Sequence, residues 1–196
     1  MLDINVPSLE HDDTMQNDLH GVRYADVSSA ATVDTVADIL TNPSGLGTIN
    51  HGHTKHFYSD GAFNLMQLIS YVLKQTGPAN LFLTTYSISD DSINTLRLKT
   101  KQGSLLSVRF IIDNRVRSMS PKNFDYLTGA FPGLYRCRAL HAKVVLIWND
   151  EWHITLIGSQ NATKNPKLEC GVIHTSEEVF KFHKNILDYE FDKGTT

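Results

Sequence analysis

Short apolar runs alternate with helical patterns through the middle of the chain, and this alternation restricts the possible folds more than any other feature. The runs at 80–88 (NLFLTTYSI) and 104–114 (SLLSVRFIIDN) are dominated by apolar and β-prone residues, as is typical of strands buried on both faces. A helical segment at 89–101 separates them, and a β-hairpin follows at 134–158 around the turn WNDEW. The sequence therefore predicts an α/β fold in which helices flank a mixed β-sheet on both faces.

Further helices are predicted from apolar spacing and from capping residues. Residues 28–45 carry apolar side chains at helical spacing before a proline, and a strongly amphipathic helix is expected to be capped by Asp60 and to end at Gly77. The C-terminal helix is expected to begin at a capping box formed by Thr175 and Glu178. These helices can supply the cover that the sheet requires.

Length and composition indicate an ordinary globular protein. The chain has 196 residues, of which 41% are hydrophobic and 20% charged, which fits one well-buried globular domain. We predict that this domain covers 25–196 and that an irregular arm covers 1–24. No stretch approaches the roughly 20 apolar residues of a membrane span, and the N-terminus lacks the basic start and apolar run of a secretory signal. The two cysteines, Cys137 and Cys170, fit free thiols in a reducing compartment, and a single disulfide between them is the alternative. We therefore expect a cytoplasmic protein that does not act on a membrane.

The net charge of −3 conceals an uneven distribution of charge along the chain. Residues 1–20 hold acidic residues and no Lys or Arg, whereas residues 97–143 hold ten basic residues against Asp113 and Asp125. A basic excess of this kind suits a polyanion bound near the middle of the chain, although an ordinary solvated surface explains it equally well.

Four polar residues interrupt the apolar hairpin, in two pairs. His141 and Lys143 are two residues apart, as are Ser159 and Asn161, so each pair is expected to project to one face of a strand or its extension. The hairpin then presents an imidazole, an ammonium, a hydroxyl and an amide at one mouth. This set suits a phosphate group, because it combines a nucleophile with one cation and neutral donors for the charged oxygens.

The motif HAK at 141–143, followed by GSQN at 158–161, resembles the His-any-Lys and Gly-Ser-any-Asn signature of the phospholipase D superfamily. The neighbouring segments LFLTTYSIS, SVRFIID, LHAKVVLI and LECGVI also resemble successive core segments of that fold, so the likeness covers roughly 60–173. His53 and Lys55 match His-any-Lys as well, but no Gly-Ser-any-Asn follows them. The short chain with a single motif resembles the small bacterial endonucleases of this superfamily.

The resemblance implies a metal-independent phosphodiester transfer with a phosphohistidine intermediate and without a cofactor. Carried onto this chain, it makes His141 the nucleophile, with Lys143 and Asn161 on the non-bridging oxygens and Ser159 as a further donor. It makes Glu169, in the strand after the second motif, the acceptor that orients the other ring nitrogen of His141.

The sequence departs from the superfamily pattern at one motif position. Four residues after Lys143, where the motif usually has Asp, this chain has Trp148. Asp150, in the hairpin turn, is either a shifted counterpart or a residue that serves only the turn.

A single motif supplies one imidazole, although the transfer needs a nucleophile and an acid. We therefore expect a homodimer that places two copies of His141 across a two-fold interface, as the resemblance to the small endonucleases implies. Nucleic acid is the expected substrate, DNA rather than RNA.

Other candidate site residues flank the motif. Arg115, Arg117, Lys55 and His56 are candidate substrate-binding residues. A metal site of His51, His53 and His56 with Asp60 is an alternative use of the histidine-rich segment. A lipid phosphodiesterase or phosphatidyl transferase, and a catalytically silent nucleic-acid-binding module, are the alternative functions.

Overall fold

A computed structural model describes residues 33–36 and 46–196 of the chain. Residues 1–24, predicted to form an irregular arm, lie outside the described residues. In chain order the elements are β1 (Val33–Val36), β2 (Thr54–Asp60), α1 (Leu65–Thr76), β3 (Ala79–Thr85), α2 (Asp90–Lys101), β4 (Leu105–Asp113), α3 (Val116–Met119), α4 (Pro121–Ala130), β5 (Tyr135–Arg138), β6 (Val144–Trp148), β7 (His153–Gly158), β8 (Leu168–His174) and α5 (Glu177–Lys193).

The strands form one mixed sheet with the order β1-β2-β8-β7-β6-β3-β4-β5. The pairs β1–β2, β3–β4 and β4–β5 are parallel. The pairs β2–β8, β8–β7, β7–β6 and β6–β3 are antiparallel. The predicted α/β fold with a mixed sheet is confirmed.

Helices cover both faces of this sheet, which explains why its central strands are apolar along their whole length. On one face, α1, α2 and α4 contribute buried side chains such as Ile69 and Leu96 to the larger core. On the other face, α5 places its buried aromatic and aliphatic side chains against β3, β4 and β6. Consecutive residues of β3 therefore enter different cores: Leu81 and Leu83 the larger one, and Phe82 the one under α5.

Two predicted helix starts and one whole helix differ from the structure. Within the predicted helix at 28–45, Val33–Val36 forms β1, while the rest of that segment lies outside the described residues. β-Branched Val and Thr fit a strand well, and β2 offers β1 an edge to pair with. Asp60 lies within β2, and Asn64 caps α1 through a hydrogen bond from the Gln67 amide at 3.0 Å.

At the C-terminal helix, Ser176 and not Thr175 is the capping residue, because its hydroxyl accepts from the Val179 amide at 3.3 Å. The Thr175 hydroxyl instead accepts from the His53 amide at 2.9 Å and ties the end of β8 to the start of β2. The hairpin also differs from a continuous strand, since residues 139–143 separate β5 from β6. Among the described residues, no helix has the length and apolar character needed to cross a membrane.

Candidate active site

The two halves of the motif meet at one end of the sheet because β6 begins where its antiparallel neighbour β7 ends. His141 and Lys143 lie in the segment that leads into β6, and Ser159 and Asn161 follow β7 directly. The Gly158 amide donates to the Lys143 carbonyl at 3.2 Å and closes this end of the pair. The structure thus brings together the four polar residues that the spacing predicted to share one mouth.

The glycine of GSQN is required by the close approach of β8. A Cβ atom at Gly158 would lie 2.8 Å from the Cys170 carbonyl oxygen, closer than side-chain carbons approach backbone atoms. Just beyond it, the Ser159 amide donates to the same carbonyl at 2.9 Å. The backbone of the motif is therefore fixed on β8 before any side chain acts.

Lys143 and His141 are in direct contact. The Lys143 Nζ donates to the His141 carbonyl at 2.7 Å and lies 3.5 Å from His141 Nδ1. Partial burial lowers the pKa of the Lys143 ammonium, and the nearby Glu169 carboxylate acts in the opposite direction. The exposed His141 ring packs at a tilt against Tyr86, with 5.4 Å between the ring centroids. The imidazole is therefore exposed to a ligand while a cation stands beside it.

Asn161 is oriented by the backbone that follows β3. Its Oδ1 accepts from the Tyr86 amide at 3.3 Å, which leaves the Nδ2 donors for a ligand. The neighbouring Ala162 amide donates to Thr85 Oγ1 at 3.0 Å. Thr84, also fully buried, accepts from the Val144 amide at 2.8 Å and donates to the Ala142 carbonyl at 3.2 Å. Two consecutive threonines of β3 thus hold both halves of the motif.

Glu169 is buried beside Ser159, and its carboxylate is occupied on both oxygens. One oxygen accepts from the Ser159 hydroxyl and the other from Asn165 Nδ2 at 2.5 Å. Glu169 therefore fixes Ser159 in this structure, and its expected role as the acceptor for His141 stays a prediction.

The four candidate substrate-binding residues fall in different places. Arg115 lies at the site, with its guanidinium 4.6 Å from the centroid of the Tyr86 ring. Arg117 points elsewhere, since its Nε donates to the buried Cys137 sulfur at 3.4 Å. Lys55 and His56 pair with Ile173 and Val172, so they lie about 10–13 Å along β8 from Glu169. The structure therefore does not bring Lys55, which is only 6% exposed, or His56 to the motif.

The histidine-rich segment and Asp150, the alternative metal site and the alternative motif residue, both lie apart from the arrangement that those alternatives require. The His51 ring stacks on Trp152 at 3.8 Å, and no three His, Cys, Asp or Glu side chains within the described ranges form a metal-binding group. Asp150 is exposed in the turn at the far end of β6, about 16 Å from Lys143. Asp150 therefore lies away from the motif, and the turn itself is held by Asn149, whose Oδ1 accepts from the Glu151 amide at 3.0 Å and from the Trp152 amide at 2.9 Å. Trp148 packs against Phe180 of α5 with 5.7 Å between ring centroids.

Sequence reasoning missed Tyr86, Asp113 and the Thr84–Thr85 pair. Each is a polar or amphipathic residue at the end of an apolar run, the same signal that pointed to His141. The signal was present in β3 and β4, but no motif marked these residues as neighbours of the site.

The site thus places cationic and amide donors around an exposed imidazole at the ends of two central strands of an α/β sandwich, a set of groups that suits a phosphate. No protein-family model matches the chain, and no curated protein sequence matches it. Among solved structures, the chain is similar to polyphosphate kinase from Porphyromonas gingivalis, with a TM-score of 0.53 and 14% identity over 73% of this chain and 26% of that one. It is also similar to NucT from Helicobacter pylori, with a TM-score of 0.51 and 15% identity over 72% of this chain and 97% of that one.

Both solved structures are those of phospholipase D superfamily members, so the chain has a phospholipase D-like fold. The resemblance indicated by the motif is confirmed at the level of the fold. The chain spans about a quarter of the polyphosphate kinase and nearly the whole of NucT.

Proposed function

We propose that this protein is a metal-independent phosphodiesterase that cleaves nucleic acid through a phosphohistidine intermediate. The observation that carries the proposal is the convergence of His141, Lys143 and Asn161 at the end of β6 and β7, where a nucleophile, a cation and amide donors can surround one phosphate. The phospholipase D-like fold supports it, because the motif lies in the succession of strands that the resemblance requires.

The geometry suggests which ring nitrogen reacts. Because Lys143 Nζ lies 3.5 Å from Nδ1 of the His141 ring, we infer that Nε2 is the nitrogen that attacks the phosphate. In the first step Nε2 attacks phosphorus, the bond to the leaving oxygen breaks, and that oxygen takes a proton from an acid. In the second step water attacks phosphorus and gives its proton to the group that acted as the acid, while the P–N bond breaks and releases the phosphate ester and the free imidazole. The Lys143 ammonium and the Asn161 Nδ2 donate hydrogen bonds to the non-bridging phosphate oxygens, and the Lys143 charge offsets the negative charge on those oxygens.

A second copy of the chain is proposed to supply the acid. Each chain has one His141 at its mouth, so a two-fold dimer gives each scissile bond two imidazoles. Tyr58, Cys170 and Leu168 share one exposed face of β2 and β8 beside the motif, on the sheet side that α5 covers farther along. Leu168 is 66% exposed and Tyr58 59%, so this face offers apolar surface to a second copy.

Nucleic acid is the proposed substrate class, with DNA rather than RNA expected. The support is the basic excess over 97–143, which includes Arg115 next to the site and Lys143 in the motif. A polyanion gains from several such cations at once, whereas a single small phosphodiester does not.

The test uses labelled DNA and RNA oligonucleotides and a chromogenic bis-aryl phosphodiester, all in excess EDTA. We expect wild-type cleavage to persist in chelator and His141→Ala to lose at least about 10³-fold in kcat, since it removes a covalent nucleophile. His53→Ala, in the second His-any-Lys sequence, is the matched control and should keep wild-type activity.

Acid-labile, base-stable label on wild-type protein after a quench would support the phosphohistidine. Full activity in His141→Ala would overturn the mechanism, and loss of activity in EDTA with recovery on a divalent ion would overturn metal independence. DNA binding without cleavage of any of these substrates would favour the silent binding module.

A further inference from the structure

Asp113 is a buried carboxylate close to the site that the reaction does not use. It is the last residue of β4 and only 2% exposed. Its oxygens accept from the Arg115 Nε at 2.7 Å, from the Arg115 amide at 3.0 Å and from the Leu140 amide at 2.9 Å. The hydrogen bonds from Arg115 are the main reason why the pKa of Asp113 falls to about 2, so the group is a carboxylate at any working pH. A buried charge with this many partners is costly to leave unpaired.

The bond to Leu140 acts directly on the segment that carries His141. Residues 139–142 belong to no helix or strand, and the pairing of β6 with β7 reaches only as far as the hydrogen bond from the Gly158 amide to the Lys143 carbonyl. Asp113 holds the amide on the near side of His141, and Thr84 holds the Ala142 carbonyl and the Val144 amide on the far side. The backbone of His141 is therefore fixed from both directions, and Asp113 provides one of the two anchors.

A second route runs through side chains. The Asp113 carboxylate fixes the Arg115 guanidinium, which lies 4.6 Å from the centroid of the Tyr86 ring. That ring packs against the His141 imidazole at 5.4 Å between centroids. Cation–π and ring–ring contacts of this kind favour one position of the ring over others.

We propose that Asp113 is a positioning residue, which holds the His141 imidazole in place for attack through the Leu140 amide and through Arg115 and Tyr86. The inference rests on the proposed function for its catalytic meaning. Asp113 touches no reacting atom, so its loss should change the placement of the nucleophile and not the binding of substrate.

The test compares Asp113→Asn and Asp113→Ala with the wild type. Asp113→Asn keeps the shape and one acceptor and is the variant that should fold. Asp188→Asn is the matched control: Asp188 pairs with Arg109 at 2.8 Å and with Lys184 at 2.5 Å on α5, away from the motif. Three quantities are measured: kcat, KM and the hydrogen-exchange rate of the Leu140 amide by NMR.

We expect Asp113→Asn to lower kcat by about 10- to 100-fold with KM within about threefold of wild type, the size expected for a small displacement of a reacting group. The Leu140 amide should exchange at least about tenfold faster in Asp113→Ala, while core amides of β3 keep their rates. Asp188→Asn should leave both kcat and the Leu140 exchange rate at the wild-type level.

A folded Asp113→Asn with wild-type kcat, or an equal loss of kcat in Asp188→Asn, would overturn the inference. An unchanged Leu140 exchange rate in the Asp113 variants would do so too. A wild type without phosphodiesterase activity would overturn the proposed function alone, and the exchange rates would still decide whether Asp113 fixes the His141 segment.

Discussion

At the scale of single residues, the groups that can react are accessible and the groups that hold them are buried. His141 and Ser159 are exposed, whereas Thr84, Thr85, Asp113 and Glu169 are buried. A buried polar group that is fully hydrogen-bonded has few alternative conformations, so it can fix the position of an exposed neighbour. The positions of the exposed groups in this site are therefore expected to depend on the buried residues that hold them.

Glu169 and Ser159 are predicted to act as one unit. Glu169→Gln replaces the acceptor of the Ser159 hydroxyl with a neutral amide, and we expect kcat to fall by about tenfold, with a similar loss in Ser159→Ala. The double variant should be little worse than either single one, because both remove the same interaction. The measurement is a double-mutant cycle on kcat, and additive losses would show that the two residues act independently.

Asp113 should make the free energy of unfolding depend on pH in the acid range. The pKa of Asp113 is about 2 in the folded protein, below its ordinary value of 3.8. The contribution of this carboxylate to the free energy of unfolding is therefore fully present above the unfolded pKa, and it is lost as the pH falls from about 4 to about 2. The difference in unfolding free energy between wild type and Asp113→Asn should thus be constant from pH 5 to 7 and shrink below pH 4. Urea unfolding at several pH values measures it, and a difference that grows toward acid pH would contradict the assignment.

At the scale of elements, the site depends on where strands stop. If β5 and β6 formed one continuous strand, residues 139–143 would pair with a neighbour and His141 would be committed to a sheet face. The break leaves these residues to the anchors on β3 and β4. Helix α1, which is capped by Asn64, packs its buried face beneath the strands that end at the motif.

The cap of α1 offers a test at this scale. Asn64→Ala removes the side-chain acceptor of the Gln67 amide and should cost about 1 kcal/mol of unfolding free energy. Ser120→Ala is the matched control, since Ser120 precedes α4 but its side chain makes no capping hydrogen bond, and its cost should stay within about 0.5 kcal/mol. Thermal or urea unfolding of both variants gives the comparison, and equal costs would contradict the assigned cap.

At the scale of the whole molecule, α5 covers the sheet from β5 to β7, and beyond it the Leu168 end of β8 and β2 presents an exposed face among the described residues. Leu168 and Tyr58 project from this open face next to the motif. A two-fold contact here would bury apolar surface and bring the motif of the second chain close to the motif of the first, as an active site shared between two chains requires.

Leu168→Asp should therefore weaken the proposed dimer and reduce activity by about tenfold or more at low protein concentration, because a buried charge without a partner opposes association. Leu106→Asp is the matched control, since Leu106 is 59% exposed near the start of β4, away from the motif. Light scattering and activity are measured on the same samples. An active wild-type monomer would contradict the dimer, and equal effects of both variants would contradict this surface.

The sequence by itself determined the class of fold and the reacting groups of the candidate site. Apolar runs, helical spacing and the two motif halves are local patterns. Such patterns predict on which face of a strand or helix a residue lies and which chemical group it presents there. Tertiary structure decided the rest. Val33–Val36 became a strand because β2 offered an edge, and Glu169 came to hold Ser159 because β8 lies beside β7. Asp113 reached Leu140, 27 residues farther along the chain, because β4 and β5 are parallel neighbours. Contacts at such separations depend on strand order and register, which no short stretch of sequence contains.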